Sequence, residues 1–241
     1  EILFSNYATN DNVTFDVSQN GRYLALAVSD AKVNLYDVKS DNNRLTSVPN
    51  ESDITSVCIS PDCKSLASVS FSRELMIFKL PNCLLLKKIK IKKYKYASQT
   101  CYSPDGELLA VSDYKDVILL DTKNYLVIKR ISIHDDLITS VTFSPDGHFL
   151  VTGGNDKTIK FYDFKRSETI NILNTKGNAV KLSTDFYEQR LYFGEVFNSN
   201  YLANSILTYN LMKTPIATIM KTWNQEQHKR GIKDQTYSYF C

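Results

Sequence analysis

Short apolar runs separated by polar turns fill most of the chain. The segment 158–162 alternates polar and apolar side chains, and the segments 137–143 and 149–151 form apolar runs on either side of a turn. A period of two residues is typical of β-strands that bury one face. No helical period of 3.6 residues competes with this pattern before about residue 221. The pattern predicts an all-β fold.

A polar tetrapeptide that suits a tight turn recurs at steps of 42, 43, 41 and 39 residues. In its fullest form, Ser-Pro-Asp-Gly, the proline presets φ, the Asp accepts hydrogen bonds from its own backbone, and the glycine tolerates the exit geometry. This motif predicts a hairpin between two strands rather than a catalytic loop. Its five copies are Ser18-Gln19-Asn20-Gly21, Ser60-Pro61-Asp62-Cys63, Ser103-Pro104-Asp105-Gly106, Ser144-Pro145-Asp146-Gly147 and Ser183-Thr184-Asp185-Phe186.

A second marker has nearly the same spacing. It is an aromatic or apolar residue, usually followed by Asp, near the end of an alternating run, and its steps are 42, 42, 42 and 47 residues. Two markers with one period predict a repeated unit of four antiparallel strands, each about five residues long. We expect the marker residues to end equivalent third strands. They are Tyr36, Phe78, Leu120, Tyr162 and Tyr209.

The fourth repeat carries the motifs of a known family most clearly. It contains His134-Asp135-Asp136, the Ser144 turn, Gly153-Gly154-Asn155-Asp156 and the run from Thr158 to Asp163. With its repeat length and four strands per repeat, the chain resembles the WD-repeat (WD40) β-propeller family.

The resemblance implies five four-stranded antiparallel blades within residues 1–221. Their expected bounds are about 6–48, 49–91, 92–132, 133–174 and 175–221, and residues 222–241 are expected to be a polar tail or linker. WD propellers usually close with seven blades. We therefore expect either further blades outside this chain, in a larger or tandem propeller, or a disordered remainder, and a closed five-bladed ring is the alternative.

The resemblance also implies a buried hydrogen-bonded relay in the fourth blade. In the family a His, a Ser or Thr, the turn Asp and the Trp form this relay, and here His134, Thr152, Asp156 and Tyr162 take those places. Tyrosine offers a hydroxyl group in place of an indole N–H, so we expect an altered relay. A catalytic dyad of His134 and Asp156 is the alternative, but no nucleophile or metal ligand recurs beside the pair. The other repeats lack the histidine, and the second and third also lack a clean turn Asp, since their turns read Ser72-Arg73-Glu74 and Tyr114-Lys115-Asp116.

The strongest local charge is a run of lysines after the third strand of the second repeat. Lys88, Lys90 and Lys92 alternate with two isoleucines, as on an outermost strand with one cationic and one apolar face. One interpretation is protection of an exposed sheet edge, and the other is contact with RNA phosphates or an acidic partner segment. Under both we expect replacement by Gln to leave folding nearly intact. This lysine segment comprises Lys87, Lys88, Lys90, Lys92, Lys93 and Lys95.

Composition excludes several classes of protein. A formal net charge of +3, from 29 Lys+Arg and 26 Asp+Glu, is too balanced for a dedicated nucleic-acid coat. Five cysteines at irregular spacings fit neither a metal knuckle nor a disulfide framework, so we expect free thiols in a reducing compartment. No apolar stretch reaches the roughly 18 residues of a membrane helix. We expect no cofactor, no metal and no enzyme activity.

A propeller without a catalytic constellation is expected to act as a scaffold for other proteins. Residues 52–66, 75–80 and 88–91 also resemble the transducin-beta-like, tandem-propeller subunits of the UTP-B part of the small-subunit processome. That resemblance implies pre-ribosomal RNA processing in the nucleolus, with the lysine segment as a contact for the RNA backbone. The alternative is a generic adaptor without RNA, such as a ubiquitin-ligase substrate receptor, a coat subunit or a regulatory subunit, in the cytoplasm or nucleus. Both imply an intracellular protein with protein partners, no membrane contact and no small-molecule substrate.

Overall fold

The structure is a computed structural model, and it describes residues 13–28, 31–40, 44–50, 52–91, 99–175, 179–185, 190–196 and 203–210. Across these residues the chain forms nineteen β-strands and no helix. It divides into two compact units, Glu1–Ile131 and Ser132–Cys241, each with its own sheets. The all-β class predicted from the alternating pattern is confirmed.

The first unit contains three four-stranded sheets, in which neighbouring strands follow one another in chain order. Blade 1 consists of β1 (Thr14–Val17), β2 (Tyr23–Val28), β3 (Lys32–Asp37) and β4 (Arg44–Pro49). Blade 2 consists of β5 (Ile54–Ile59), β6 (Ser65–Ser70), β7 (Glu74–Lys79) and β8 (Leu84–Lys90). Blade 3 consists of β9 (Thr100–Tyr102), β10 (Leu108–Asp113), β11 (Asp116–Asp121) and β12 (Leu126–Ser132), whose last residue already belongs to the second unit.

The second unit contains one four-stranded and one three-stranded sheet. Blade 4 consists of β13 (Ile138–Phe143), β14 (Phe149–Gly154), β15 (Thr158–Asp163) and β16 (Glu168–Asn174). Blade 5 consists of β17 (Ala179–Asp185), β18 (Arg190–Val196) and β19 (Ala203–Asn210). The fourth strand expected for blade 5, and the tail expected at 222–241, lie outside the described residues.

The five marker residues occupy one structural position. Each is the penultimate residue of the third strand in its blade, and each pairs across the ladder with a leucine of the second strand. The repeat predicted from the 42-residue spacing is therefore confirmed at the level of strand register. The pairs are Leu24 with Tyr36, Leu66 with Phe78, Leu109 with Leu120, Leu150 with Tyr162 and Leu191 with Tyr209.

Four of the five tetrapeptides form the same turn. In each, the hydroxyl group of the first Ser donates to the side-chain oxygen of the third residue, at 2.8, 2.6, 2.5 and 2.5 Å. The fourth residue has a positive φ, between 58° and 74°. Glycine adopts this conformation freely in three of the turns, whereas Cys63, at 58°, adopts it against a steric cost.

The fifth tetrapeptide is not a turn. Residues 183–185 lie in β17 and pair with residues 190–192 of β18. The pair Thr184–Leu191 corresponds to Phe143–Leu150 in blade 4, so Asp185 takes the place of Ser144. The segment lacks the Pro and Gly that favour a turn, and its threonine favours a strand. The prediction of a turn starting two residues earlier is therefore wrong.

Blade 2 buries apolar side chains on both of its faces. Leu66 packs in one cluster with Leu35 of blade 1, and Ile77 packs in a second cluster with Leu109 of blade 3. All four side chains are fully buried. Burial of each such side chain stabilises the fold by about 1.5–3 kcal/mol. Contacts between the faces of consecutive blades therefore form the core of the first unit.

Among the described residues, no helix has the length and apolar character needed to cross a membrane.

Candidate functional site

The structure brings three of the four predicted relay residues into direct contact. The Nδ1 atom of His134 lies 2.9 Å from both carboxylate oxygens of Asp156, and its Nε2 atom lies 2.9 Å from Oγ1 of Thr152. His134 precedes β13, Thr152 lies on β14, and Asp156 lies in the hairpin between β14 and β15. Three consecutive elements of blade 4 therefore meet at the imidazole ring.

Tyr162, the fourth predicted residue, is buried on β15 of the same blade. Its ring packs edge-on against Phe164, with 5.5 Å between ring centroids. Across the ladder Tyr162 pairs with Leu150, whereas Thr152 pairs with Lys160, two residues before the tyrosine. In this blade the tyrosine contributes to the aromatic packing at the end of the third strand.

Three further residues complete the cluster around Asp156. The Thr158 hydroxyl donates to Oδ1 of Asp156 at 2.7 Å, and Nζ of Lys160 lies 3.5 Å from Oδ2. A Cβ atom at Gly154 would lie 2.6 Å from Nδ1 of His134, so only glycine fits there. The alternation of β15 places Thr158 and Lys160 on one face, and this period-two signal could have identified them from the sequence.

The protonation states follow from burial and hydrogen bonding. Burial raises the pKa of Asp156, but hydrogen bonds from Thr158 and from the Asp135 N–H, with the interaction with His134, outweigh it and lower the pKa to about 2. Burial lowers the pKa of His134 despite its carboxylate partner. At neutral pH a neutral imidazole therefore donates from Nδ1 to Asp156 and accepts the Thr152 hydroxyl at Nε2.

Asp156, His134 and Thr152 are hydrogen-bonded in the same order as the acid, histidine and hydroxyl group of a hydrolase triad. Whether this arrangement could be catalytic depends on whether a substrate can reach the Thr152 hydroxyl group. Thr152 is 0% exposed and His134 is buried. A substrate carbonyl cannot reach the Thr152 oxygen. The geometry therefore supports a structural network, as the resemblance implied, over a catalytic one.

Blades 2 and 3 place buried carboxylates at the corresponding hairpin. The Glu74 side chain is only 4% exposed and lies 3.1 Å from Nζ of Lys88 and 3.5 Å from Nζ of Lys90. In blade 3, Nη1 of Arg130 lies 2.6 Å from Asp113 and 3.5 Å from Asp116. Both aspartate side chains are fully buried. In these blades a cation of the outermost strand therefore takes the place of the histidine.

The cation that contacts the buried acid lies on different strands in blades 2 and 4. Lys88 of β8 pairs with Met76 of β7 in blade 2, whereas Lys160 of β15 pairs with Ile172 of β16 in blade 4. The cation thus lies on the fourth strand in blade 2, which has no histidine, and on the third strand in blade 4, which has one. No motif at a single sequence position predicts this exchange, because it involves two strands that pair in the fold.

The lysine segment begins on β8, which is an outermost strand because it pairs with β7 alone in its sheet. Lys87 is exposed, whereas Lys88 and Lys90 reach back to Glu74. Ile91 is buried, and Ile89 packs against the core between blades 2 and 3. These contacts change the expectation that the lysines are dispensable for folding. Lys92, Lys93 and Lys95 lie outside the described residues.

The family model described as "WD domain, G-beta repeat" matches residues 43–79 and 126–163. Each match ends at the third strand of a blade, at Lys79 in blade 2 and at Asp163 in blade 4. The chain therefore contains WD repeats.

Several curated WD-repeat and related proteins are similar to parts of the chain. WD repeat-containing protein SL1-17 of Schistosoma mansoni is 23% identical over 153 residues, which is 64% of this chain and 50% of that protein. Protein HIR1 of Candida albicans is 27% identical over 127 residues, 46% of this chain and 14% of that protein. U3 small nucleolar RNA-associated protein 12 of Saccharomyces cerevisiae is 34% identical over 115 residues, 47% of this chain and 12% of that protein. The chain thus spans half or less of each relative's length.

Four of the five cysteines lie in the described residues, and none of these four forms a disulfide bond. Burial raises the pKa of Cys58 well above its ordinary value and that of Cys83 to about 11. These thiols are therefore poor nucleophiles at neutral pH. In the described part of the chain, no group of three or more His, Cys, Asp or Glu side chains could hold a metal ion. Cys241 lies outside that part.

Proposed function

We propose that this chain is part of a non-catalytic propeller scaffold in the small-subunit processome, where it supports pre-ribosomal RNA processing. The WD-repeat fold supports a scaffold or adaptor role in general, since its blades offer rigid surfaces to protein partners. The observation that carries the finer assignment is the 34% identity to a U3 small nucleolar RNA-associated protein over 115 residues. A nucleolar location follows from this proposal.

The lysine segment is the proposed contact with RNA phosphates or with an acidic partner segment. Lys87 is exposed on an outermost strand, and ammonium groups there match phosphate charge without the planar fork that distinguishes bases. Lys88 and Lys90 both form ion pairs with Glu74. This one carboxylate neutralises part of their positive charge. The contact should therefore depend most on Lys87 and on the lysines that follow the strand.

The test is affinity purification of the full-length protein from its own cells, with detection of RNA. Co-purification of U3 small nucleolar RNA and pre-ribosomal RNA, in particles that sediment rapidly, is the expected result. A matched pair of variants separates RNA contact from folding. Lys87→Gln should lower RNA recovery and reduce the salt slope of binding by up to about one unit, whereas Lys165→Gln, a change of an exposed lysine in blade 4, should leave both unchanged. If Lys87→Gln recovers intact particles with as much RNA as the unaltered protein, the lysine contact is rejected. The processome assignment itself is not rejected by that result.

A generic WD-repeat adaptor without RNA is the second candidate. The similarity to Protein HIR1 and to SL1-17, over stretches as long as or longer than that to the U3-associated protein, favours it. In that case the same purification recovers a small set of proteins and no ribosomal RNA precursor. That outcome would overturn the processome assignment and leave the scaffold role.

A further inference from the structure

A cavity of about 270 Å³ opens among the first strands of the three blades in the first unit. Its walls come from β1, β5, β9 and the residues that flank them. This volume lies just below the range of pockets that hold small molecules or cofactors, which starts at about 300 Å³. The size suits one inserted side chain better than a free metabolite.

One layer of the cavity wall is formed by a single repeat position. Asp16, Cys58 and Cys101 each pair with an alanine of the second strand in their own blade, so they are equivalent residues on three consecutive first strands. All three line the cavity. Blade 1 thus places a carboxylate where the next two blades place thiols.

The Asp16 carboxylate is held in position by backbone groups. Its Oδ2 atom accepts the Ile59 N–H at 2.7 Å, across the boundary between blades 1 and 2, and its Oδ1 atom accepts the Val17 N–H at 2.9 Å. No Lys, Arg or His among the described residues forms an ion pair with it. Burial raises the pKa of Asp16 to about 6 in spite of these two hydrogen bonds. A half-buried carboxylate that remains charged at neutral pH thus lacks a counter-charge within the described structure.

Charge is the property of this cavity that selects a ligand. Phe15 also lines the cavity, but side chains alternate along β1, so its exposed ring points to the opposite face of the strand from Asp16. A carboxylate without a counter-charge attracts ammonium and guanidinium groups. Gln99 and Thr100 add polar groups to the wall.

We propose that this cavity binds the cationic end of an Arg or Lys side chain of a protein partner, with the Asp16 carboxylate as its counter-charge. The cation restores the charge balance that the described structure leaves open at Asp16. This site goes beyond the proposed scaffold role and does not depend on RNA, so its test is independent of the processome assignment.

The test uses two small probes and the full chain. Saturation-transfer NMR measures the binding of N-acetyl-arginine methylamide and of its neutral counterpart, N-acetyl-citrulline methylamide. The arginine probe should bind at least about tenfold more tightly than the citrulline probe, since a charge-assisted hydrogen bond is lost in the latter. Equal affinity of the two probes, or no binding of the arginine probe, would overturn the proposal.

Variants assign the effect to the carboxylate. Asp16→Asn keeps an acceptor for the Ile59 N–H and should weaken the arginine probe about tenfold, whereas Glu107→Gln, which removes an exposed carboxylate outside the cavity, should change nothing. Unchanged affinity in Asp16→Asn would reject the site.

A pH series on the unaltered protein provides a test that needs no variant. The other titratable groups that face Asp16 are the Cys58 thiol on β5 and the Cys101 and Tyr102 side chains on β9, and thiols and phenols stay neutral between pH 5 and 7.5. At pH 5 about one Asp16 in eleven is ionised for a pKa of about 6, so affinity for the arginine probe should fall about tenfold from its value at pH 7.5. A flat profile contradicts the assignment to Asp16.

Discussion

Blade 4 and the pair formed by blades 2 and 3 bury negative charge at the same hairpin and neutralise it in different ways. In blade 4 the carboxylate of Asp156 is held by His134, Thr158 and Lys160. In blades 2 and 3, which lack the histidine, a lysine pair or an arginine from the outermost strand reaches the acid. The buried charges of these three blades are paired, but only the arrangement in blade 4 matches the family's recognisable motif. The repeats that look degenerate in sequence have thus replaced their network rather than lost it.

Because of this difference, the outermost strands of blades 2 and 4 have different structural roles. In blade 2, Lys88 and Lys90 of β8 form ion pairs with the buried Glu74, while the leucines at 84–86 of the same strand are exposed. The second half of β8 therefore contributes to the buried ion pairs of the blade, and its first half exposes an apolar surface. Blade 4 has an isoleucine, Ile172, opposite its third-strand lysine. Its outermost strand supplies no cation to the core at that position.

The largest effect is expected in blade 3, where two buried acids contact the same arginine. Arg130→Met removes the cation that contacts the carboxylates of Asp113 and Asp116, and it should lower the free energy of unfolding by about 3 kcal/mol. Urea denaturation at pH 7 measures the change. Adding Asp113→Ser and Asp116→Thr should recover much of the loss.

The matched control is Arg166→Met in blade 4. Arg166 is 68% exposed and lies 3.8 Å from Asp163, so its loss should cost less than about 0.5 kcal/mol. Equal destabilisation by the two arginine variants would show that the buried ion pairs of blade 3 contribute no more to the free energy of unfolding than an exposed ion pair does.

A smaller loss is expected in blade 4. Asp156→Ala leaves His134, Thr158 and Lys160 without their common acceptor, and it should destabilise the protein by about 2 kcal/mol. Asp135→Ala, which keeps the backbone N–H that bonds Asp156 and removes only an exposed side chain, is the control, with an expected change below about 0.5 kcal/mol. A wild-type melting curve for Asp156→Ala would mean that packing alone holds this hairpin.

The pH dependence sharpens the same prediction. The pKa of Asp156 falls from 3.8 in the unfolded chain to about 2 in the folded one, so its stabilisation is present above pH 4 and is lost as the pH falls towards 2. The difference between the protein and Asp156→Ala should therefore shrink over that window. Chemical denaturation at pH 6, 4 and 2 measures it, and a difference that grows on acidification would contradict the assigned protonation state.

In blade 2, the two lysines near Glu74 should be able to substitute for each other. Lys88→Met and Lys90→Met should each cost less than about 0.5 kcal/mol, because the other ammonium group stays near Glu74, whereas the double variant should cost about 1 kcal/mol. Lys87→Met is the control, since this side chain is exposed on the same strand. Glu74→Gln in the double variant should restore stability. Strict additivity without that rescue would reject the ion-pair explanation.

The smallest effect concerns the turn of blade 2. Cys63→Gly relieves the positive φ that Gly106 and Gly147 adopt freely in the other blades, and it should stabilise the protein by about 0.5 kcal/mol. Cys63→Ala keeps the strain and should not stabilise. Thermal unfolding distinguishes the two variants, and an equal gain from both would assign the effect to the thiol.

The sequence by itself determined the strand period, four of the five turns and the register of the five marker residues. It did so because these features depend on local rules, namely the alternation of side chains along a strand and the φ preferences of Pro, Asp and Gly. It also identified His134, Thr152 and Asp156, since their spacing matches a motif of the family. At Ser183 it failed because the tetrapeptide lacks the residues that make the turn locally obligatory.

Only the tertiary structure decided which cation meets which acid and where the cavity lies. Lys88 reaches Glu74 because β8 pairs with β7 in one particular register, and Asp16 meets the N–H of Ile59 from the neighbouring blade, 43 residues away. Such contacts depend on the packing of separate strands and blades. A buried charge selects the partner that packing brings within reach, and that partner has no fixed spacing in the sequence.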